Sequence, residues 1–205
     1  MSEFSQWIFS LALSPWAYVV LAGLLIIDGF FPFVPGETAV VTFATLGVTG
    51  HGPAPIAVFL VASGATMIGD GIAYLIGRRF GLARWPWLQR PRIVSMLSWA
   101  TRGLIRRPAV FLISAKFVPI ARVAVTITAG AGGLTLRRYL PISCAASVLY
   151  TGYHVVVAVA AGSTFAASPL LGAAVAIVTV ILLGAGIEGV GWLRKRRPSQ
   201  PKLDV

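Results

Sequence analysis

Charge is scarce in this chain, and acid is scarcer. Only 11% of the 205 residues are charged, and six are Asp or Glu, whereas soluble domains carry roughly a quarter charged residues. That excludes an ordinary water-soluble domain. A single cysteine, Cys144 in "YLPISCAASVLY", excludes a disulfide framework within the chain and is expected to be a small buried thiol. The two histidines, His51 and His154, each lack a second ligand at helical spacing, so no metal site is expected; a proton-linked role for either is the alternative. No HExxH, GxSxG or P-loop pattern occurs, and the lipid-phosphatase signature lacks its later Ser-Gly-His part. Neither an enzyme nor a cofactor is expected.

What is present is apolar surface in long runs. Hydrophobic residues make up 57% of the chain and mean hydropathy is +0.85. The stretches 16 to 31, 54 to 77, 140 to 161 and 168 to 193 approach the ~20 residues that cross a bilayer. The N-terminal "MSEFSQWIFSLALSPW" has neither a basic start nor a small-residue cleavage site, so no removable signal is expected. A net charge of +11 would suggest nucleic acid in a soluble protein, but fifteen of the 17 basic residues flank apolar runs: Arg78 to Arg107, Arg137 with Arg138, and Arg194 to Lys202. That is the positive-inside pattern of a multi-pass membrane protein, with no nucleic-acid motif beside it. Within it, residues 79 to 107 alternate arginines with Trp85, Trp87, Leu97 and Trp99, as an amphipathic element on an anionic cytoplasmic surface would.

If the three basic clusters share the cytoplasmic face, charge parity fixes the crossings. Segment 109 to 133 begins and ends on one side, so it enters the membrane and returns; Pro119 marks its break. Segment 32 to 50 must do the same from the other face, broken at Pro32, Pro35 and Gly36. The expected fold is an all-α membrane protein: four crossings at about 8 to 31, 54 to 77, 139 to 162 and 168 to 193, and two opposed re-entrant helical hairpins. Both termini then face the cytoplasm. Residues 1 to 193 form one membrane domain, followed by a basic, disordered tail, 194 to 205. "FVPGETAVVT" (33 to 42) and "FVPIARVAVT" (117 to 126) agree at five of ten positions with an offset of 84. This marks an inverted repeat of the kind that builds secondary transporters.

Against this background the membrane charges stand out: Asp28, Glu37, Asp70, Lys116, Arg122 and Glu188. Burying one costs on the order of 2.5 to 3.5 kcal/mol on insertion scales, so they should face one another or water. The first hairpin region carries acids and the second bases, which would set Asp28 and Glu37 against Lys116 and Arg122. Asp70, between Gly69 and Gly71, is a proton relay, a partner for a hairpin base, or a carboxylate bonded to a neighbouring helix. Glu188 is an interfacial partner for the "RKRR" tail. Such pairs could hold two broken helices in register and do nothing more. They could also open to admit an anion or a proton, and the planar donors of Arg122 suit a phosphate headgroup.

Through "DGFFPFVPGE", "GDGIAYLIGRRFG" and "AKFVPIARVAVTITAGAGG", over about 22 to 162, the chain resembles the DedA family of membrane proteins, also called SNARE-associated or VTT-domain proteins. Asp28 stands where that family usually has Glu, Glu37 matches its second acid, and Phe117, Pro119 and Arg122 match its second motif. Lys116 replaces the first arginine of that motif, and Tyr150 or Tyr153 replaces a tryptophan. The resemblance implies two re-entrant hairpins and translocation of lipid across the plasma membrane, with polyprenyl phosphate or a phospholipid as substrate, a proton link, and a homo-oligomer left open. Lys116 and Arg122 would bind the headgroup, and Glu37, Asp28 and Asp70 would couple protons. A proton-coupled exporter of small cations and a non-transporting membrane scaffold or assembly factor remain alternatives.

Overall fold

The computed structural model describes residues 14, 16 to 31, 34, 36 to 81, 91 to 164, 175 and 177 to 179. They form seven helices: α1 (Trp16–Asp28), α2 (Gly36–Val48), α3 (Pro55–Phe80), α4 (Pro91–Arg106), α5 (Pro108–Ala115), α6 (Pro119–Ala131) and α7 (Leu136–Thr164). No strand occurs among the described residues. Pro32, Pro35, Glu188, the tail from 194 and all but four residues of the 168 to 193 stretch lie outside them.

Helices α3 and α7, of 26 and 29 residues, are long and apolar enough to cross a membrane. Helices α3, α5 and α6 each open on a proline, whose missing N–H would have no helical acceptor in that position anyway. The segment 109 to 133 resolves into two helices, α5 and α6, on either side of residues 116 to 118. The described part of 32 to 50 holds one helix, α2. Helix α4 is strongly amphipathic: it buries Leu97 and Ala100 and exposes Ile105, with Arg102 and Arg106 on the outside.

The offset of 84 extends well beyond the ten matched residues. Helices α2 and α6 are each 13 residues long, and Phe80 and Thr164, the last residues of α3 and α7, are also 84 apart. The long helices lie antiparallel, since Ser63 meets Thr151 (2.6 Å between hydroxyls) while Asp70, further along α3, meets Tyr139 near the start of α7. Each short helix packs chiefly on the long helix of the other half, α6 on α3 and α2 on α7. The crossings correspond as well. Gly77 touches the backbone of Ile127 and Gly130 that of Tyr74, while Gly162 meets Thr45 and Val48.

The distribution of polarity is inverted. Outward-facing positions include Val19, Ile56, Leu60, Ile68, Leu75, Leu149 and Val156. The interior holds Asp28, Asp70, Lys116, Arg122, Ser143, Ser147, Thr151 and His154. Two apolar clusters flank these buried charges: Leu21, Leu25, Val40, Val41 and Val58 lie on one side, and Tyr74, Leu112, Val125 and Tyr139 on the other. An apolar exterior around a charged centre suits a lipid solvent. Cys144, expected to be buried, is exposed on α7. It lies one residue from the inward Ser143, so the helix turns it toward the apolar exterior.

The glycine crossings give a direct test. A side chain at Gly77 would overlap the Ile127 carbonyl, whereas Gly64 has open space around it. Gly77→Leu should cost at least about 3 kcal/mol and Gly64→Ala almost nothing, as judged by thermal unfolding in detergent.

Candidate functional site

Lys116 caps the C-terminus of α5, where the helix dipole favours a cation. Arg122 sits in the first turn of α6, where the dipole disfavours one, and its amide bonds back to Val118 O at 2.9 Å. Both side chains are 3% exposed. In an interior of this kind each cation needs an acid, and each finds one on an element of the other half. Arg122 Nη2 lies 2.5 Å from Asp28 Oδ1 and donates to the Asp28 backbone oxygen at 2.8 Å, which at the end of α1 lacks a helical donor. Lys116 Nζ bonds Asp70 Oδ2 directly and donates to Ser147 Oγ at 2.9 Å.

The pairing therefore differs from the expectation that both hairpin acids meet both hairpin bases. Asp28 meets Arg122 as expected, and Lys116 pairs with Asp70, for which a hairpin base was one of the expected partners, in place of a hairpin acid. Glu37 makes no ion pair among the described residues and instead accepts the Tyr150 hydroxyl at 2.5 Å. Tyr150 in turn receives Arg122 Nη1 at 3.3 Å, so it ties Glu37 to the guanidinium. Both cations lie just under 6 Å from the Tyr150 ring centre, within cation–π range. Phe117, in the break between α5 and α6, packs edge-on against Tyr150 and Tyr153.

Gly36 has a specific task at this centre. A Cβ there would stand 2.7 Å from Asp28 Oδ2, so only glycine lets the carboxylate lie against the first turn of α2. Pro35, expected as the break beside it, lies outside the described residues. Helix α6 begins at Pro119, consistent with the expected break.

On α7 the sequence singled out Tyr150, Tyr153 and His154 but not Tyr139, Ser143, Ser147 or Thr151. Tyr139 donates to Asp70 O at 3.1 Å, Ser143 to Asp70 Oδ2 at 3.5 Å, and His154 Nδ1 meets Tyr150 O at 2.7 Å. The signal was present: Tyr139, Ser143, Ser147, Tyr150, Thr151 and His154 recur every three or four residues along an otherwise apolar helix, tracing one inward face. Among the described residues, two fully buried side-chain polar atoms have no partner, Arg122 Nε and Tyr153 Oη. Arg122 also lines a cavity of about 10 Å³ with Asp70, Lys116, Thr126, Tyr139 and Ser143, room for about one water.

Together these features define an all-helical protein of the membrane type, with two long apolar helices and several shorter ones closed over a buried charge network. Residues 15 to 159 match the VTT domain model, and the chain belongs to that family, the DedA or SNARE-associated proteins. A protein of Lactococcus lactis subsp. lactis (strain IL1403) described as alkaline phosphatase-like protein is 22% identical over 179 residues, covering 84% of this chain and 83% of that protein. No solved structure matches the chain.

Because a lone buried charge costs more than the pair, Arg122→Gln should destabilise the protein by about 3 to 5 kcal/mol. Adding Asp28→Asn should recover about 2 kcal/mol of that loss, measured as a double-mutant cycle of thermal unfolding in detergent.

Proposed function

We propose that this protein moves a lipid phosphate, a polyprenyl phosphate or a phospholipid, across the cell membrane. The headgroup exchanges with Asp28 for the guanidinium of Arg122 while Lys116 adds a second positive charge. The observation that carries this reading is the state of Arg122. It is a nearly fully buried guanidinium with one unpartnered nitrogen, next to a second buried cation and a small cavity. A phosphate oxygen can use that free donor and an Nη together, which a carboxylate already held by Nη2 does not do.

In the resting arrangement the centre neutralises itself. Its cavity has room for about one water, so a headgroup enters only when the halves part. Protonation of Asp28 or Asp70 weakens its ion pair, and protonation of Glu37 weakens its hold on the Tyr150 hydroxyl; each favours the exchanged state. In membrane terms, α5 with α6 and the segment around α2 act as two re-entrant elements entering from opposite faces. They belong to a four-crossing protein with both termini in the cytoplasm, and the repeat is inverted. Helix α4 then lies along the cytoplasmic surface. This assigns no catalytic step to the protein. The name of the Lactococcus relative raises phosphate-ester hydrolysis as the competing chemistry.

Proteoliposomes carrying fluorescent polyprenyl phosphate or phospholipid test this. The wild type should equilibrate label between leaflets without releasing inorganic phosphate, and Arg122→Ala should slow it at least about tenfold, the loss of one charged hydrogen-bond pair. Undiminished flipping in Arg122→Ala or Glu37→Ala, or phosphate release by the wild type, would overturn the assignment. Cation flux driven by a pH gradient in vesicles free of labelled lipid would favour an exporter instead. Folded protein that moves neither would indicate a scaffold.

A further inference from the structure

The two halves differ at one matched position of their long helices. Asp70 on α3 and His154 on α7 are 84 residues apart, the offset of the repeat, and each stands ten residues before the end of its helix. Both are buried, at 5% and 2% exposure. Asp70 is held by Lys116, Ser143 and, through its backbone, Tyr139. His154 occupies the equivalent place in the other half, where the neighbouring charges are different.

Its ring is fixed. Nδ1 is 2.7 Å from the Tyr150 carbonyl, and a carbonyl only accepts, so Nδ1 carries the proton and Nε2 the lone pair. The ring lies 4.3 Å from Tyr150 and 5.1 Å from Tyr153, centre to centre. Among the described residues Nε2 has no hydrogen-bond partner. Glu37 of α2 and Arg122 of α6 both bond the hydroxyl of Tyr150, whose ring packs on His154, so they are the charges nearest it through that ring. The other titratable groups around the centre are Asp28, held by Arg122; Asp70, held by Lys116; and Tyr150 and Tyr153 of α7 itself. Glu37 is therefore the acid here that is not committed to a base.

We propose that His154 Nε2 is a proton-binding site of this centre, with Glu37 as its counter-charge. A proton from water joins the Nε2 lone pair and forms an N–H bond, while Nδ1–H stays on Tyr150 O; on release the proton returns to water. The imidazolium attracts Glu37 and repels Arg122, acting on both ends of the Glu37–Tyr150–Arg122 link. In the transport reading, on which this consequence rests, a proton at His154 loosens the guanidinium for exchange. The proton site itself does not depend on that reading.

The test is nitrogen NMR of the full chain, histidine-labelled, in nanodiscs of phosphatidylethanolamine and phosphatidylglycerol, with His51→Gln to assign the signals. Between about pH 4 and pH 9, His154 should pass from the Nδ1–H tautomer to imidazolium. Glu37→Gln removes the negative charge that favours the cation, so it should shift the midpoint to lower pH by about one unit or more, a tenfold loss of proton affinity. A His154 that keeps one form across the range overturns the proposal, and so does a midpoint indifferent to Glu37→Gln. Should Glu37→Gln not fold, Glu37→Asp keeps the charge at a greater reach and should shift the midpoint the same way by less; no shift overturns the proposal. A protein that flips no lipid yet shows the Glu37-dependent titration supports the proton site and removes the transport reading instead.

Discussion

A guanidinium and an ammonium enclosed in an apolar bundle set the terms for everything else in this molecule. Left alone, either would cost several kcal/mol, far more than a single apolar contact returns. Each is therefore met by a carboxylate from a helix earlier in the chain: Asp28 of α1 for Arg122 and Asp70 of α3 for Lys116. The halves are bound through their charges, and parting them means finding those charges new partners. In the proposed transport, a phosphate headgroup would supply a partner for the base, and a proton would remove the need for one at the acid.

The packing serves that closure. Glycines 77 and 130 bring α6 against α3, which sets Lys116 and Arg122 at the depth of Asp70. Gly36 makes room for the Asp28 carboxylate at the start of α2. Tyr150 links the two centres, since its hydroxyl joins Glu37 to Arg122 and both cations approach its ring. Tyrosine is suited to this place because its hydroxyl both donates and accepts within the same network.

Much of this was legible before the structure. Composition alone gives an all-helical membrane protein, and the offset of 84 between "FVPGETAVVT" and "FVPIARVAVT" is the offset that relates the ends of α3 and α7. Asp28 and Arg122 were expected to meet and do. The partner of Lys116 was harder to read, because charge parity fixes which side of the membrane a segment reaches but not how a helix is rotated about its axis. Rotation of α3 turns Asp70 inward toward Lys116 and leaves Glu37 to Tyr150. On α7, Tyr150 was singled out through the family resemblance, but Tyr139, Ser143, Ser147 and Thr151 were passed over for a related reason: they carry no formal charge, so a search for ionisable residues does not find them. Their spacing of three and four residues was the available clue.

The proposed transport requires Arg122 to change partners. A cryo-electron microscopy structure of the full chain in nanodiscs containing a polyprenyl phosphate addresses this most directly. The account predicts headgroup density within hydrogen-bonding distance of Arg122, with the guanidinium withdrawn from Asp28. Headgroup density elsewhere, with the Arg122–Asp28 pair still closed, would contradict it.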